Sequence, residues 1–385
     1  MSLAIPSSEN VQARWATIII FLCNGIMVSS WATRIPAIQQ QLHLSPGILG
    51  LALFGAPVSA VLTMPLISWL ASRLGSHIVT RWASLAACIA LPLPALASNA
   101  LWLFLGVAAL GATTGAMDVS MNTQAVTVER KIQRSIMSSF HGFFSVGALL
   151  GAIIAAGAAA IGLSPLFHLV VVAVILAVIV LLASLWLLAD HHPISPEQRF
   201  FALPTRPIFA LAALAFCSQF AENAIGDWGA VYLHTGLATS LSVAAVGYGA
   251  FAGAMMLGRL GGDAFTQRIG PRRAVVVGSS VAAVGVGVGL LVRLPFVTIA
   301  GFACFGLGFA VLFPIVISAA GRMQGVTSSL ALTAVMTSGY TGMLIGPPLI
   351  GGLASAISLQ AALGIVVVFC VAIVFLSPAI PPQHD

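Results

Sequence analysis

Charge is what this chain has least of. Asp, Glu, Lys and Arg together make up 6% of its 385 residues, where a soluble domain carries about 25%. So few charges cannot clothe the surface of a soluble fold of this length. Disorder is excluded by the same composition, because 59% of the residues are hydrophobic and disordered chains are poor in such residues. The net charge of +6, from 15 basic and 9 acidic residues, is not gathered into a stripe, so the chain is not read as a partner of nucleic acid. The five cysteines, Cys23, Cys88, Cys217, Cys304 and Cys370, are far apart, and each lies in an apolar run. They offer neither a zinc spacing nor a disulfide framework and read as small buried hydrophobes. GxSxG and HExxH are missing, and the glycines of GVGVG and GLGF sit inside apolar runs with no strand before them. No enzyme chemistry, cofactor or metal is expected.

What the chain has instead is long apolar runs. A membrane-spanning helix needs about 20 mostly apolar residues. Broken at charges, turns and polar clusters, the sequence predicts spans over 15–36, 46–70, 79–97, 100–126, 136–162 and 165–189, then 207–233, 242–265, 274–293, 295–320, 327–350 and 357–378. The runs are continuous rather than alternating, which excludes a β-barrel. The first run is too long for a signal-peptide core and lacks a small-residue cleavage site. Asp190–Arg206, with three prolines and two histidines, is the most polar stretch. The expected layout is an all-α membrane protein with an N-terminal bundle (1–189), a cytoplasmic linker (190–206) and a C-terminal bundle (207–385). With both termini in the cytoplasm, thirteen of the 15 basic residues face that side and only Arg34 and Arg293 face out. That asymmetry is expected of a multi-pass chain in a bacterial inner membrane.

The two halves look alike. SSWATR in span 1 aligns with GDWGAV in span 7, which places Trp31 beside Trp228. Arg73-Leu74-Gly75 after span 2 matches Arg268-Ile269-Gly270 after span 8, and Gly147 and Gly151 in span 5 match Gly342 and Gly346 in span 11. Parallel six-span repeats with a midplane site between them are a transporter plan. The stretch GRLGGDAFTQRIGPRR, Gly258 to Arg273, resembles the loop motif of the major facilitator superfamily. Its counterpart SWLASRLGSH is degenerate, with Ser72 in place of an acid and Ser76 and His77 in place of basic residues. SWATRIP, MDVSMNTQAVTVER, FHGFFSVG and AENAIGDW are similar to a bacterial inner-membrane branch of that superfamily near the sugar and fucose permeases. The resemblance covers the whole chain. It implies twelve transmembrane helices in two pseudo-symmetric six-helix bundles and transport by alternating access.

An ionisable group in hydrocarbon is costly, so each one inside a span needs a reason. Asp118 lies in span 4 with Asn122 one turn on, on the same face. His141 lies in span 5 within reach of Asp118. The pair reads either as a proton or solute site or as a fixed hydrogen bond between helices. In span 7, Glu222 and its neighbour Asn223 lie near the midplane. Asp227 lies five residues further, near the outer mouth and about 140° around the helix. Glu222 is expected to be the coupling carboxylate. Asp227 is expected to lock an outer gate or cap a helix broken at Gly226 and Gly229, with interfacial solvation as the alternative. In span 1, Asn24 sits near the centre and Trp31 and Arg34 near the outer end. Trp31 and Trp228 read as a pair stacking on a sugar ring or as part of the interfacial aromatic belt. Arg34 is expected to bridge to Asp227. Arg259 and Asp263 are one turn apart and, with Arg268, Arg272 and Arg273, read as a cytoplasmic gate between spans 8 and 11. Glu129, Arg130, Lys131 and Arg134 are the expected counterpart in the N-half. Plain positive-inside bias is the alternative for these charges.

The expected function is proton-coupled symport of a small polar solute, a sugar by resemblance. Asn24, Trp31, Asp118, Asn122, Glu222, Asn223 and Trp228 would touch the solute, and Glu222, Asp118, His141 and Asp227 would handle protons. Solute, protons and lipid bilayer are the expected partners, and the expected state is a monomer. Two other classes stay open. One is an efflux antiporter, whose GxxxGPxxGG pattern is approached, with one extra residue before the glycine pair, at Gly342–Gly352 on span 11 rather than on span 5. The other is a non-transporting receptor or scaffold, which would tolerate loss of the buried acids.

Overall fold

The computed structural model describes residues 8–133, 136–190, 201–323 and 326–381. Arg134, Arg199 and most of the 190–206 linker lie outside them. Among the described residues there is no strand, and the helices follow the apolar runs to within a turn or two. They are α1 (Asn10–Gln41), α2 (Pro46–Leu74), α3 (Ser76–Leu96), α4 (Ala100–Ile132), α5 (Met137–Ala160), α6 (Pro165–Trp186), α7 (Phe209–Gly236), α8 (Leu241–Ile269), α9 (Pro271–Val292), α10 (Pro295–Gly321), α11 (Ser328–Ala356) and α12 (Leu359–Ala379). Eleven of these are long and apolar enough to cross a membrane. The twelfth, α11, is 29 residues long, about 43 Å at the α-helical rise. It is less apolar because it carries Thr333, Thr337, Ser338, Tyr340, Thr341 and the Pro347-Pro348 pair. Leu62, Leu101, Val284, Leu291 and Phe375 are all exposed, the apolar coat that a hydrocarbon surround requires.

The start of α1 and the end of α12 define one end of the bundle, the terminal end; the other is the far end. Helices that begin at the far end mostly cap themselves. Ser45, Asn99, Ser164, Ser240 and Ser358 each accept a hydrogen bond from a backbone N–H of the following first turn, as good N-caps do. At the terminal end two helices borrow an acid instead. Asp190, just past α6, accepts from the Ser76 N–H at 2.8 Å and from the Ser76 and Thr127 hydroxyls. Glu129 at the foot of α4 accepts from the Ile136 and Met137 N–H groups, both at 2.8 Å. A carboxylate satisfies otherwise unpaired donors there and complements the helix dipole. Glu129 was expected in a gate network; it holds the start of α5.

Glycine sets the helix spacing and fixes the repeat. Gly111 on α4 rests on the Ala56 backbone of α2, and Gly306 on α10 rests on the Phe251 carbonyl of α8. The two contacts are related by one offset of 195 residues, from Gly111 to Gly306 and from Ala56 to Phe251. Gly75 and Gly270 share that offset and the same left-handed backbone, φ +88° and +85°, which favours glycine. Gly147 meets the Leu22 carbonyl of α1, and Gly342 meets the Phe216 carbonyl of α7. Leu22 therefore corresponds to Phe216, and twelve residues on in each helix Arg34 corresponds to Trp228. The expected equivalence of Trp31 and Trp228 is out by almost a turn. The expected break at Gly226 and Gly229 is also absent. The α-helix runs unbroken over Phe209–Val231 and ends in a π-turn at Tyr232–Gly236, whereas α1 is the helix interrupted, at Thr33 and Arg34.

The halves meet along α5 and α8 and where the first turns of α2 cross the last turns of α11. Ser242 donates to the Ala156 carbonyl at 3.0 Å, and the Gly47 N–H donates to Ser355 Oγ at 2.7 Å. Gly50 lies against Pro347 and Gly351. These contacts sit toward the far end. α4, in contrast, packs on α1, α2, α3 and α5 of its own half. Gly111→Ala and Gly306→Ala are each expected to destabilise by about 1–3 kcal/mol through overpacking, read as a fall in the thermal midpoint of the purified protein. Gly157→Ala, whose added Cβ meets nothing within 4 Å, is expected to leave the midpoint unchanged or raise it.

Candidate functional site

The chemistry gathers on the seam between the halves. Close packing of α5 on α8 sets Ser145, eight residues into α5, opposite Arg259. Arg259 Nη1 donates to Ser145 Oγ at 2.8 Å. Its Nη2 lies 3.8 Å from Glu222 Oε1 on α7, with both side chains 27% exposed. One guanidinium thus joins an acid of its own half to a hydroxyl of the other. Glu222 lies about 20 Å up α7 and Arg259 about 15 Å up α8 from the terminal end, so the long arginine side chain spans the difference. The Ser145 hydroxyl also donates to the His141 carbonyl at 3.2 Å. His141 is exposed, within electrostatic reach of Arg259, and its ring stands edge-on to Phe21 at 5.3 Å.

Two tyrosines extend this polar strip. Tyr248 on α8 lies within electrostatic reach of both Glu222 and Asp227, and Tyr340 on α11 lies within reach of Asp118 on α4. Asp118 is exposed in mid-helix, on a helix whose main packing partners are N-half helices, and has Tyr340 of the C-half within electrostatic reach. Asn122 Nδ2 donates to the Asp118 carbonyl at 2.9 Å and to its carboxylate at 3.2 Å. Asn223 donates to the Gln219 carbonyl at 2.8 Å and is half-buried beside Glu222. The arrangement offers three carboxylates, one guanidinium, one imidazole and several neutral hydrogen-bonding groups to anything that enters between the halves.

Several expected positions differ. Asp118 and His141 share no hydrogen bond: the Asp118 carboxylate accepts from Asn122 on its own helix, and the His141 ring stands against Phe21 of α1. Arg259 does not pair with Asp263 one turn away; it reaches inward to Glu222. Asp263, Arg268, Arg272 and Arg273 are exposed and form no ion pair among the described residues. Arg34 does not reach Asp227. Its Nε donates to His168 Nδ1 on α6 at 3.1 Å, inside the N-half. Asn24 is buried against Met121, Nδ2 to Sδ 3.7 Å, and faces the N-bundle core rather than the seam. Trp228 is fully buried and so cannot stack on a solute; Trp31 is 9% exposed and also packed in the core. Sequence reasoning missed Ser145, Tyr248, Tyr340 and Asp190. Scarcity was the usable signal for the tyrosines: the chain has 3, and two of them lie within electrostatic reach of intramembrane acids.

Twelve long helices in two glycine-matched repeats around a polar seam define a membrane transporter fold. The family model of the Major Facilitator Superfamily matches residues 17–327, and the chain belongs to that superfamily. It is similar to an uncharacterized MFS-type transporter of Yersinia pestis, 33% identical over 97% of this chain and 94% of that one. It is also similar to the membrane protein MosC of Rhizobium meliloti, 32% identical over 89% of this chain and 84% of that one. Among solved structures, the nucleoside transporter NupG superposes with a TM-score of 0.75 at 15% identity, covering 97% of this chain and 100% of its own. A bacterial homolog of the human lysosomal transporter Spinster, inward-facing and occupied, gives 0.69 at 17% identity over 95% and 94%. The protein is therefore a multi-pass transporter and not an enzyme.

Glu222→Gln is expected to lower the thermal midpoint more than the double variant Glu222→Gln/Arg259→Gln, because the single change strands a guanidinium inside the bundle. A double-mutant cycle on purified protein should give a coupling of about 0.5–3 kcal/mol; additive effects would contradict the pairing.

Proposed function

We propose that the protein carries a small polar solute, a sugar or a sugar-bearing molecule, across a bacterial inner membrane by alternating access, driven by proton symport. The observation that carries this reading is Arg259, held at once by Glu222 of the C-half and Ser145 of the N-half. Protonation of Glu222 removes the charge that holds the guanidinium. Arg259 then turns to the remaining acceptors, the solute among them, and the balance between the two arrangements of the halves changes. Asp118, Asp227 and His141 are the other titratable groups on the path, and Asn122, Asn223 and Tyr340 supply neutral hydrogen bonds suited to hydroxyl-rich solutes. The positive-inside rule puts the terminal end in the cytoplasm. Contacts between the halves toward the far end then make this an inward-open arrangement of a monomer, with 1–189 and 207–385 moving as bodies joined by 190–206.

The near match to GxxxGPxxGG on α11 lends efflux little support, since its spacing is one residue too long and Pro347 and Gly351 serve close packing on Gly50 of α2. Uptake into proteoliposomes under an imposed pH gradient is the test, with sugars, nucleosides and lipophilic cations as the solute panel. Gradient-driven accumulation of a sugar or nucleoside, lost at least 10-fold in Glu222→Gln while solute exchange persists, is the expected outcome. Transport of the cations alone would establish efflux, and a protein that moves nothing in either form would establish the receptor or scaffold.

A further inference from the structure

We infer that Arg34 forms the base of a binding site for a small anion at the far end, in the class of a simple carboxylate or inorganic oxyanion. The side chain is 2% exposed and lies in a membrane bundle, yet no acid pairs with it among the described residues. Its one hydrogen-bond partner among the described residues is an imidazole, His168, through Nε to Nδ1 at 3.1 Å. Because Nδ1 accepts, the imidazole proton sits on Nε2. Arg34 Nη2 and His168 Nε2 are both buried without a partner. Both are donors, so what the cluster lacks is an acceptor, and the formal charge it lacks is negative. A buried cation left this way is strongly unfavourable unless a counter-charge arrives.

A recess adjoins Arg34, and a turn of its guanidinium would bring Nη2, now closed off, to that space. Arg34 lines a recess of about 320 Å³ together with Gln40, Gln41, Ser164, Pro165 and Leu241. No acidic side chain borders it. Ser164 and Pro165 are the start of α6, whose dipole presents its positive end there. Two lining residues tie the recess to the arrangement of the halves. Leu241 belongs to α8 of the C-half, and Gln40 Oε1 lies 3.3 Å from His234 Nε2 on α7. An anion seated on Arg34 therefore stabilises the closed far end, where both halves contribute walls, over an arrangement in which Leu241 has moved away. This site is separate from Glu222 and Arg259, and its existence does not depend on which solute is carried.

Thermal unfolding of the purified full-length protein in detergent tests it. Sodium formate and sodium phosphate are each titrated against sodium gluconate at constant ionic strength. A saturable rise in the midpoint is expected in the wild type, as for any ligand that binds only the folded state. Arg34→Met should abolish the response while raising the midpoint in gluconate alone, because it removes an uncompensated charge. Arg34→Lys, which keeps the charge but shortens its reach, should weaken the apparent affinity at least 5-fold and serves if Arg34→Met does not fold. A flat wild-type titration overturns the inference, as does a non-saturating rise of equal size in Arg34→Met or Arg34→Lys.

Discussion

A guanidinium placed between membrane-spanning helices needs acceptors, which come from those helices or from a ligand that enters between them. Arg259 is met from both halves, by the Glu222 carboxylate and the Ser145 hydroxyl. That geometry exists only because α5 and α8 run close together. Gly249 and Gly253 on α8 face Ala152 and Leu149 of α5, which a Cβ at those positions would meet at 3.4 and 3.2 Å, so no bulky residue holds Ser145 out of reach. Tyr248 extends the same helix face toward Asp227, which makes α8 the element that aligns the acids of α7 with the seam.

The framework is symmetric and the chemistry is not. Gly111 with Ala56 and Gly306 with Phe251 build the same close approach in each half, and Gly75 and Gly270 turn the chain the same way. On that shared scaffold the C-half supplies the guanidinium and two acids, while the N-half supplies Asp118, a histidine and a serine. Position Arg34 of the N-half corresponds to Trp228 of the C-half, and both are buried. One carries a cation with an imidazole beside it, the other an indole in an apolar core. Repeats that pack alike can thus diverge at the same depth, because close approach constrains the backbone and leaves side chains beyond the contact free to change.

Hydropathy made the twelve helices legible, and α11 too, although its threonines and paired prolines lower its apolar content. The glycine repeats and the Gly75 and Gly270 turns were legible because they express backbone requirements, which depend on spacing alone. The pairing of charges was less so. An i,i+4 rule joins Arg259 to Asp263 on one helix, but a seven-atom side chain buried against two other helices finds Glu222, and a linear sequence does not show which helix is the neighbour. Asn24 and Trp228 were misplaced for a related reason. Depth along a helix can be counted from the sequence, whereas the face turned to the seam depends on packing that α1 and α7 share with α5 and α11. Asp190 looked like part of a solvated linker; it is the carboxylate that starts α3.

The central claim is that the Glu222–Arg259 contact biases the position of the two halves. Distances between spin labels measure it directly, with one pair at Arg130 and Arg322 across the terminal end and a second at Gln41 and Ala238 across the far end. Each pair is compared between wild-type protein and Glu222→Gln. The account expects opposite shifts, the populations at one end moving toward shorter separations as those at the other lengthen. Distributions that superpose in the two proteins at both ends would contradict it.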